Sequence, residues 1–568
     1  MRWMKMAKRD YSEWSRNELI DEVEKLRKRK RYGVVWEDKP EKVAEFCKER
    51  LPVLVESVDR KIVTDKDSPF NILIEGDNYH ALSVLNYTHK GRIDVIYIDP
   101  PFNTGNRTWK YNNDYVEKED EFRHSKWISF MNKRLRLAKD LLKTSGILIV
   151  AIDDYEMHAL RLLLDEMFGE NNRLGTIVVV HNPRGRNDDK YFATMHEYML
   201  VYAKNADYAS VGYFELTQED LDSFIKADEI SSYNLTSFMR TGNNSDRSTR
   251  PKLFYPIYYK PATGELGLER AENSVELLPI NSSGEEKTWR WGQATFLERK
   301  NTELVVKTVK GSYRVFKKRR VTHLKGKKPR TVWYNPRYDA SSHGIMLLQR
   351  MFGQKNVFPY PKSIWTNFDI LKLVTKRDST VLDFFAGSGT AGHAVLMLNK
   401  KDGGNRRFIM CTNNENNICT EVCYPRIKRA VLGYTDSEKA TVRGLGGNLR
   451  YFLTDFVDAE PTDRNKKKLV DKSTEMLCLK EDCFDEIMKG QNFRIFNNSQ
   501  GKKLCIIYDD DGIELFKKEV RSLKEKFVVY VFSLDQSARE EDFEDVANWV
   551  ELKPIPAVIL NVYRRIFK

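Results

Sequence analysis

Val381-Leu382-Asp383-Phe384-Phe385-Ala386-Gly387-Ser388-Gly389-Thr390 is a short apolar run that ends at an acid, turns on two glycines and enters the apolar stretch Ala391–Leu398. Strand, glycine turn and helix in that order let a ligand lie against bare backbone and the positive end of a helix. A Gly-x-Gly by itself can also be no more than a tight turn. The stretch is not GxxxxGK[ST], which occurs nowhere in the chain, so a phosphate loop is excluded. It is not GxGxxG either, which disfavours a dinucleotide.

Working outward, the same rhythm holds on both sides. Downstream, Phe408–Thr412 reads as the next strand. Far upstream, Ile72–Glu75, Val95–Asp99, Ile147–Asp153, Thr176–Val180 and Tyr198–Ala203 read as buried strands. Ala81–Lys90, Lys126–Lys143 and Tyr155–Met167 read as the helices between them. Alternating strands and helices predict a doubly wound, largely parallel α/β sheet. From Lys204 to about Asp339 that rhythm disappears, and Asn, Ser, Thr, Arg and Lys dominate. After Thr454, Leu504–Tyr508, Gly512–Lys526 and Phe527–Leu534 suggest a smaller βαβ unit. Near the start, Ser15 and Glu18 form a capping-box pair ahead of a helix expected to reach Arg31. Its apolar stripe packs on its own domain or on a partner.

The length of 568 residues suggests three to four domains, and 41% apolar with 31% charged residues can bury real cores. The net charge of +13 is unevenly spread. Lys287–Arg337 alone holds 16 basic and 2 acidic residues, so the rest of the chain is close to neutral. A concentrated basic stripe interleaved with aromatics points to a polyanion partner. The 7 cysteines show neither a disulfide framework nor zinc spacing, so no metal is expected. Met1–Arg16 lacks the apolar centre of a secretory signal, and no apolar run approaches a membrane span. A soluble, cytoplasmic protein is expected.

The strand Val95–Asp99 runs directly into Pro100-Pro101-Phe102-Asn103. Two prolines fix φ and remove two donors, so the chain leaves the strand along a stiff path flanked by an acid and an aromatic ring. That corner belongs to the carboxyl edge of the sheet, where open α/β sheets bind ligands.

Asp-Pro-Pro-Phe ahead of Phe385-Ala386-Gly387-Ser388-Gly389-Thr390, with an irregular segment between, resembles the β-class DNA amino-methyltransferases. The resemblance covers about Asn71 to Tyr434. Ile74-Glu75-Gly76-Asp77, His196-Glu197-Tyr198 with Val201-Tyr202, and Pro359-Tyr360-Pro361-Lys362 match lesser motifs. Asp99 in place of Ser points to the adenine-N6 branch. Within it, Ile98 through Asn106 is most similar to the Mod subunits of type III restriction–modification systems.

The resemblance implies a methyltransferase sheet with an inserted target-recognition domain. It divides the chain into an N-terminal helical segment (1–70), a catalytic half (71–204), the recognition domain (205–340), a cofactor half (341–453) and a C-terminal α/β domain (454–568). S-adenosylmethionine is the implied cofactor. Asp99, Pro100, Pro101 and Phe102 are the implied catalytic residues: two acceptors for the target amine and a ring that stacks on an extruded base. Asp383, Phe385, Gly387, Ser388, Gly389 and Thr390 are the implied cofactor residues, with Asp77, Lys362 and Glu415 less directly assigned. Asp77 could equally cap the helix that follows it, and Lys362 could be a surface lysine. The family places an acid after the next strand to hold the cofactor ribose; here Asn413 stands at the immediate position, and Glu415, two residues on, is the carboxylate that could serve.

The recognition segment supplies Arg240, Arg247, Arg250, Arg290 and the run Lys317, Lys318, Arg319, Arg320 as candidate DNA contacts. Most should meet phosphate, and a few arginines should read guanine edges. Arg184 and Arg186 form a second candidate loop. Residues 454–568 carry 20 basic and 23 acidic residues, which suits docking to a protein better than gripping DNA. The resemblance implies duplex DNA, a second copy of the chain and a helicase/nuclease restriction subunit as partners. A solitary adenine methyltransferase, a non-catalytic recognition subunit and an RNA base methyltransferase are the alternatives.

Overall fold

The computed structural model describes residues 15–16, 19–20, 36–66, 68–112, 114–118, 120–186, 189–534 and 537–567. The helix expected over Ser15–Arg31 falls almost wholly outside them. The chain forms two compact units, Gly212–Pro329 and the remainder.

The larger unit is built on a sheet of ten strands: β1 (Arg50–Glu56), β2 (Phe70–Glu75), β3 (Ile93–Ile98), β4 (Leu142–Ile152), β5 (Arg173–Val180), β6 (His196–Ala203), β7 (Val332–Trp333), β8 (Thr380–Asp383), β9 (Arg407–Thr412) and β10 (Asn448–Asp458). Their spatial order is β1-β10-β2-β9-β8-β3-β4-β6-β5-β7. From β10 to β4 every neighbouring pair is parallel, whereas β6 runs antiparallel to both β4 and β5. The central strands β3, β8 and β9 are almost continuously apolar because helices cover both faces of a parallel sheet.

The two motif strands, nearly 300 residues apart in sequence, are hydrogen-bonded neighbours. Val381 pairs with Val95 and Leu382 with Ile96, so the chain exits at Asp99 and Asp383 side by side on one carboxyl edge. The helices α1 (Asn78–Thr88), α2 (Arg123–Leu141), α3 (Met157–Phe168) and α4 (Thr390–Asp402) complete the crossovers. Every residue of α1 from Tyr79 to Thr88 is buried. The C-terminal helices Thr474–Glu481 and Ala557–Ile566 pack on it, so it has no solvent face to keep polar.

Residues 454–568 belong to the same compact unit as the large sheet. Strand β10 crosses the expected boundary at 453/454 without a break. One continuous apolar core joins Leu82 and Leu85 of α1 to Leu477, Tyr530 and Tyr563, and the Tyr563 hydroxyl donates to the Pro52 carbonyl. The C-terminal sheet is ordered Asp485–Lys489, Phe493–Asn497, Lys503–Ile507, Phe527–Phe532, Val550–Ile555. Its last three strands are parallel, with helix Gly512–Leu523 between the first two of them.

The unit Gly212–Pro329 has its own small core of Phe238, Tyr255, Ile257, Trp289, Phe296 and Val315. Four antiparallel strands, Leu304–Val309, Ser312–Arg320, Ser232–Ser237 and Lys226–Ala227, make its main sheet. No helix among the described residues is long and apolar enough to cross a membrane.

Candidate functional site

At the end of β3, Asp99 meets a lysine from a distant part of the chain. Its Oδ1 lies 3.2 Å from Nζ of Lys362, which also pairs with Glu197, the second residue of β6. The lysine stands 4.5 Å from the centre of the Phe102 ring. Burial pushes the Asp99 carboxyl up to about 6; Lys362 works against that shift, and Glu197 and Asp153 add to it. Lys362 itself is held above the ordinary lysine range, because its two carboxylate partners outweigh the cost of burying it. Lys362, grouped with the cofactor residues in the sequence, thus sits against the acid of the Pro-Pro corner.

The corner is clamped from α2. Trp127 Nε1 donates to the Pro101 carbonyl at 2.8 Å, and the fully buried Asn103 donates to the Arg123 carbonyl at 3.2 Å and to Glu156 at 2.5 Å. Glu156 in turn holds Nδ1 of His124 at 2.6 Å. Two prolines remove local freedom and these side chains remove the rest, which fixes where Asp99 and Phe102 stand.

Beside it, Asp383 accepts from the Phe385 amide at 3.0 Å, and burial raises its carboxyl to about 8. Gly387 and Gly389 have φ of +49° and +81°, a region that L side chains rarely adopt. A Cβ on Gly387 would lie 3.3 Å from the Phe358 ring, and one on Gly389 would lie 3.2 Å from the Cys423 sulfur. Ser388 and Thr390 turn inward: their hydroxyls accept from the buried Arg426 at 2.9 and 2.8 Å. Arg426 therefore props the glycine turn from below. The Phe385 ring packs against Phe130 and Phe384.

Asp77 caps α1, accepting from the Tyr79 amide at 2.7 Å, and lies 3.4 Å from the buried Arg134. Glu415 pairs with Lys110, and Asn413 is exposed beyond β9.

Sequence reasoning quoted Glu197 and Asn103 within motifs without giving them a role, and it did not single out Trp127, Glu156 or Arg426. Glu197 had a signal, an acid inside an apolar strand. Arg426 had a similar one, a lone cation on the apolar face of helix Tyr424–Leu432.

In the smaller unit the candidate DNA contacts divide. Arg319 and Arg290 are exposed, the latter bonded to the Ser237 carbonyl at 2.8 Å. Lys317 lies 4.9 Å from the Trp291 ring. Arg320 instead is fully buried, held by Glu303 at 2.6 Å and Asp228 at 2.7 Å, and Lys318 reaches the same Asp228. Alternation along a strand explains this split, since residues two apart share a face. Arg247 is paired with Glu286 at 2.9 Å, while Arg240 and Arg250 are half-buried. Trp289 of the Trp-Arg-Trp sequence is a core residue stacked on Phe238, so it is closed to ligands. In the larger unit, Arg184 and Arg186 are exposed.

The model of a family described as "DNA methylase" matches residues 93–422, more than half of the chain. The chain belongs to this DNA methylase family. The match runs from the first residue of β3 past the glycine turn, so both halves of the site lie within it. The chain is 34% identical over 375 residues to the type III restriction–modification enzyme EcoPI Mod subunit of Escherichia phage P1, covering 61% of this chain and 58% of that one. It is 35% identical over 373 residues to the type II methyltransferase M.KpnI of Klebsiella pneumoniae, covering 64% and 85%. To the StyLTI Mod subunit of Salmonella typhimurium it is 28% identical over 438 residues, covering 71% and 63%. The chain therefore spans less than two thirds of the length of either Mod subunit.

Proposed function

We propose that the protein is a sequence-specific DNA methyltransferase that transfers the methyl of S-adenosylmethionine to N6 of an adenine extruded from duplex DNA. The observation that carries this reading is a half-buried Asp99, followed by Pro100 and beside Phe102, at the edge where the glycine turn also ends. The exocyclic amine of adenine is a poor nucleophile because its lone pair is delocalised into the ring. Asp99 and the Pro100 carbonyl can accept its two N–H hydrogens, and the carboxylate offsets the positive charge that develops on nitrogen. Phe102 offers a face for the unstacked base. Lys362 opposes the effect of burial and favours the ionised form of Asp99 before a base arrives.

The residues suit the cofactor. The turn at Gly387 and Gly389 carries no side chain, and Asp383 stands buried beside it. S-adenosylmethionine, when bound, supplies a methyl group on a sulfonium. Asp383, Phe385, Gly387 and Gly389 are the residues that would hold it, with Ser388 and Thr390 supporting the turn through Arg426. Asp77 and Glu415 would be further contacts for it.

The same reading makes this chain the modification subunit of a type III system, supported by the Mod relatives. A separate restriction subunit belongs to this reading, since no GxxxxGK[ST] phosphate loop occurs in the sequence, and so does a homodimer, on the family resemblance. The similarity to M.KpnI, 85% covered, favours a second reading as a methyltransferase that acts without such a subunit. Incubation with tritiated S-adenosylmethionine and duplex DNA, single-stranded DNA or RNA tests the activity. Label in N6-methyladenine of duplex DNA is expected, and label confined to RNA or to cytosine overturns the reading. Isolation from the host with an ATP-hydrolysing subunit decides between the type III and solitary forms.

A further inference from the structure

The segment 181–195 joins β5 to β6 and carries the two most conspicuous aromatic side chains outside the site, Tyr191 and Phe192, which are 79% and 90% exposed. A phenylalanine this open to water gains nothing for folding. The segment is nevertheless tied down. The amides of His181 and Asn182 donate to the Met195 carbonyl at 3.1 Å, Arg186 donates to Thr194 at 3.2 Å, and Thr194 donates to Asp189 at 2.7 Å. Gly185 has a φ of +73°, and Ala193 occupies the space its Cβ would fill. The described backbone on either side of residues 187–188 is therefore held, with the aromatic pair exposed.

The position follows from the sheet register. Val180 pairs with His196, and Ile152 pairs with Tyr198, so the segment leaves from the same edge as Asp153 and Asp99. Glu197, one residue after its end, shares Lys362 with Asp99. The charge around the tip is complementary to a polyanion. Arg184, Arg186 and Lys190 are exposed, and Lys190 Nζ lies 5.0 Å from the Tyr191 ring. Three cations stand against two acids there: the carboxylate of Asp189 is taken up by the Thr194 amide, and Asp188 lies outside the described residues.

We infer that Tyr191 and Phe192 form an aromatic wedge that enters the base stack of duplex DNA beside the target adenine and holds the space the extruded base leaves. The inference rests on the adenine-methylation reading above and adds a residue-level account of how the base is brought out. Extruding a base loses its stacking, and an aromatic side chain placed in the gap restores contact of the same kind. Arg184, Arg186 and Lys190 would hold the flanking phosphates.

The test uses the full-length protein and a duplex carrying the site found methylated in DNA from an expressing host. With 2-aminopurine in place of the target adenine, the wild type with cofactor should raise its fluorescence, and Phe192→Ala and Tyr191→Ala/Phe192→Ala should lose most of that rise. Methylation of the fully paired duplex by these variants should fall about 10-fold or more, the loss expected when one base-stacking contact is removed. When the nucleotide opposite the target is abasic, so that pairing no longer opposes extrusion, they should recover to within a few-fold of wild type. Phe192→Trp should retain activity on both duplexes. Variants that match wild type on the paired duplex overturn the wedge, as do variants equally impaired on both duplexes or impaired only in association with a protein partner. A wild type that methylates no DNA overturns the parent reading and the wedge together, whereas an active wild type with an indifferent Phe192→Ala overturns the wedge alone.

Discussion

Asp99 owes its properties to its neighbours: burial raises its carboxyl to about 6, and Lys362 keeps it from rising further. Because the ionised form accepts the amine hydrogens, turnover should increase with pH through about 6, read from a pH–rate profile of single-turnover methyl transfer. In Lys362→Met the opposing charge is gone while Glu197 remains, so the acid limb should move upward by about one unit or more. An unshifted limb would remove Lys362 from any role at Asp99. Asp99→Ala should lower methyl transfer by roughly 10²–10³-fold while cofactor affinity stays near wild type, since the carboxylate addresses the amine. Asp383 offers a separate check by stability. A carboxyl raised to about 8 in the folded protein binds a proton that the unfolded chain has already released, so stability declines as pH rises from about 4 to about 8. Asp383→Asn should flatten that decline in thermal melts taken across this range.

At the scale of elements, the glycine turn between β8 and α4 combines two left-handed residues with a buried arginine beneath it. Gly387→Val introduces a branched side chain at a φ of +49° against Phe358, so calorimetry should show cofactor binding lost before the fold is. Unchanged affinity would make the turn a turn only. The strand Ser312–Arg320 shows why a basic run in sequence is not one surface. Replacing Lys317 and Arg319 should flatten the slope of log DNA affinity against log salt by about one to two units. Arg320→Ala should act differently, leaving Glu303 without its cation and Asp228 with Lys318 alone, and lowering the melting temperature by roughly 5 °C or more. Equal salt slopes for Lys317/Arg319 and wild type would mean that this face does not meet phosphate.

For the molecule as a whole, the C-terminal region is part of the framework that carries the site. Helix α1 is buried against Thr474–Glu481 and Ala557–Ile566, and β10 runs from the main sheet into that region. Truncation after residue 453 would expose the inner face of α1 and remove half of β10. Cofactor binding should therefore be lost along with any partner docking, a result that calorimetry on the truncated chain would check. The Gly212–Pro329 unit has a core of its own, so its variants should melt separately from those at Asp99.

Periodicity and motif were enough to place seven of the ten strands of the large sheet, all but β1, β7 and β10, because buried parallel strands are continuous apolar runs and their turns are marked by Gly and Pro. Asp99, Phe102, Gly387 and Gly389 were legible for the same reason: each sits where a strand ends, and local sequence determines that. Only the tertiary structure made Lys362 the partner of Asp99, through an ion pair across more than 260 residues that no spacing rule encodes. It also buried Arg320 while leaving Arg319 exposed, since the sheet decides which face of a strand meets a core. The sequence shows charge and pattern, while the environment that shifts an acid or consumes a cation arises when distant segments are packed together and water is excluded from between them.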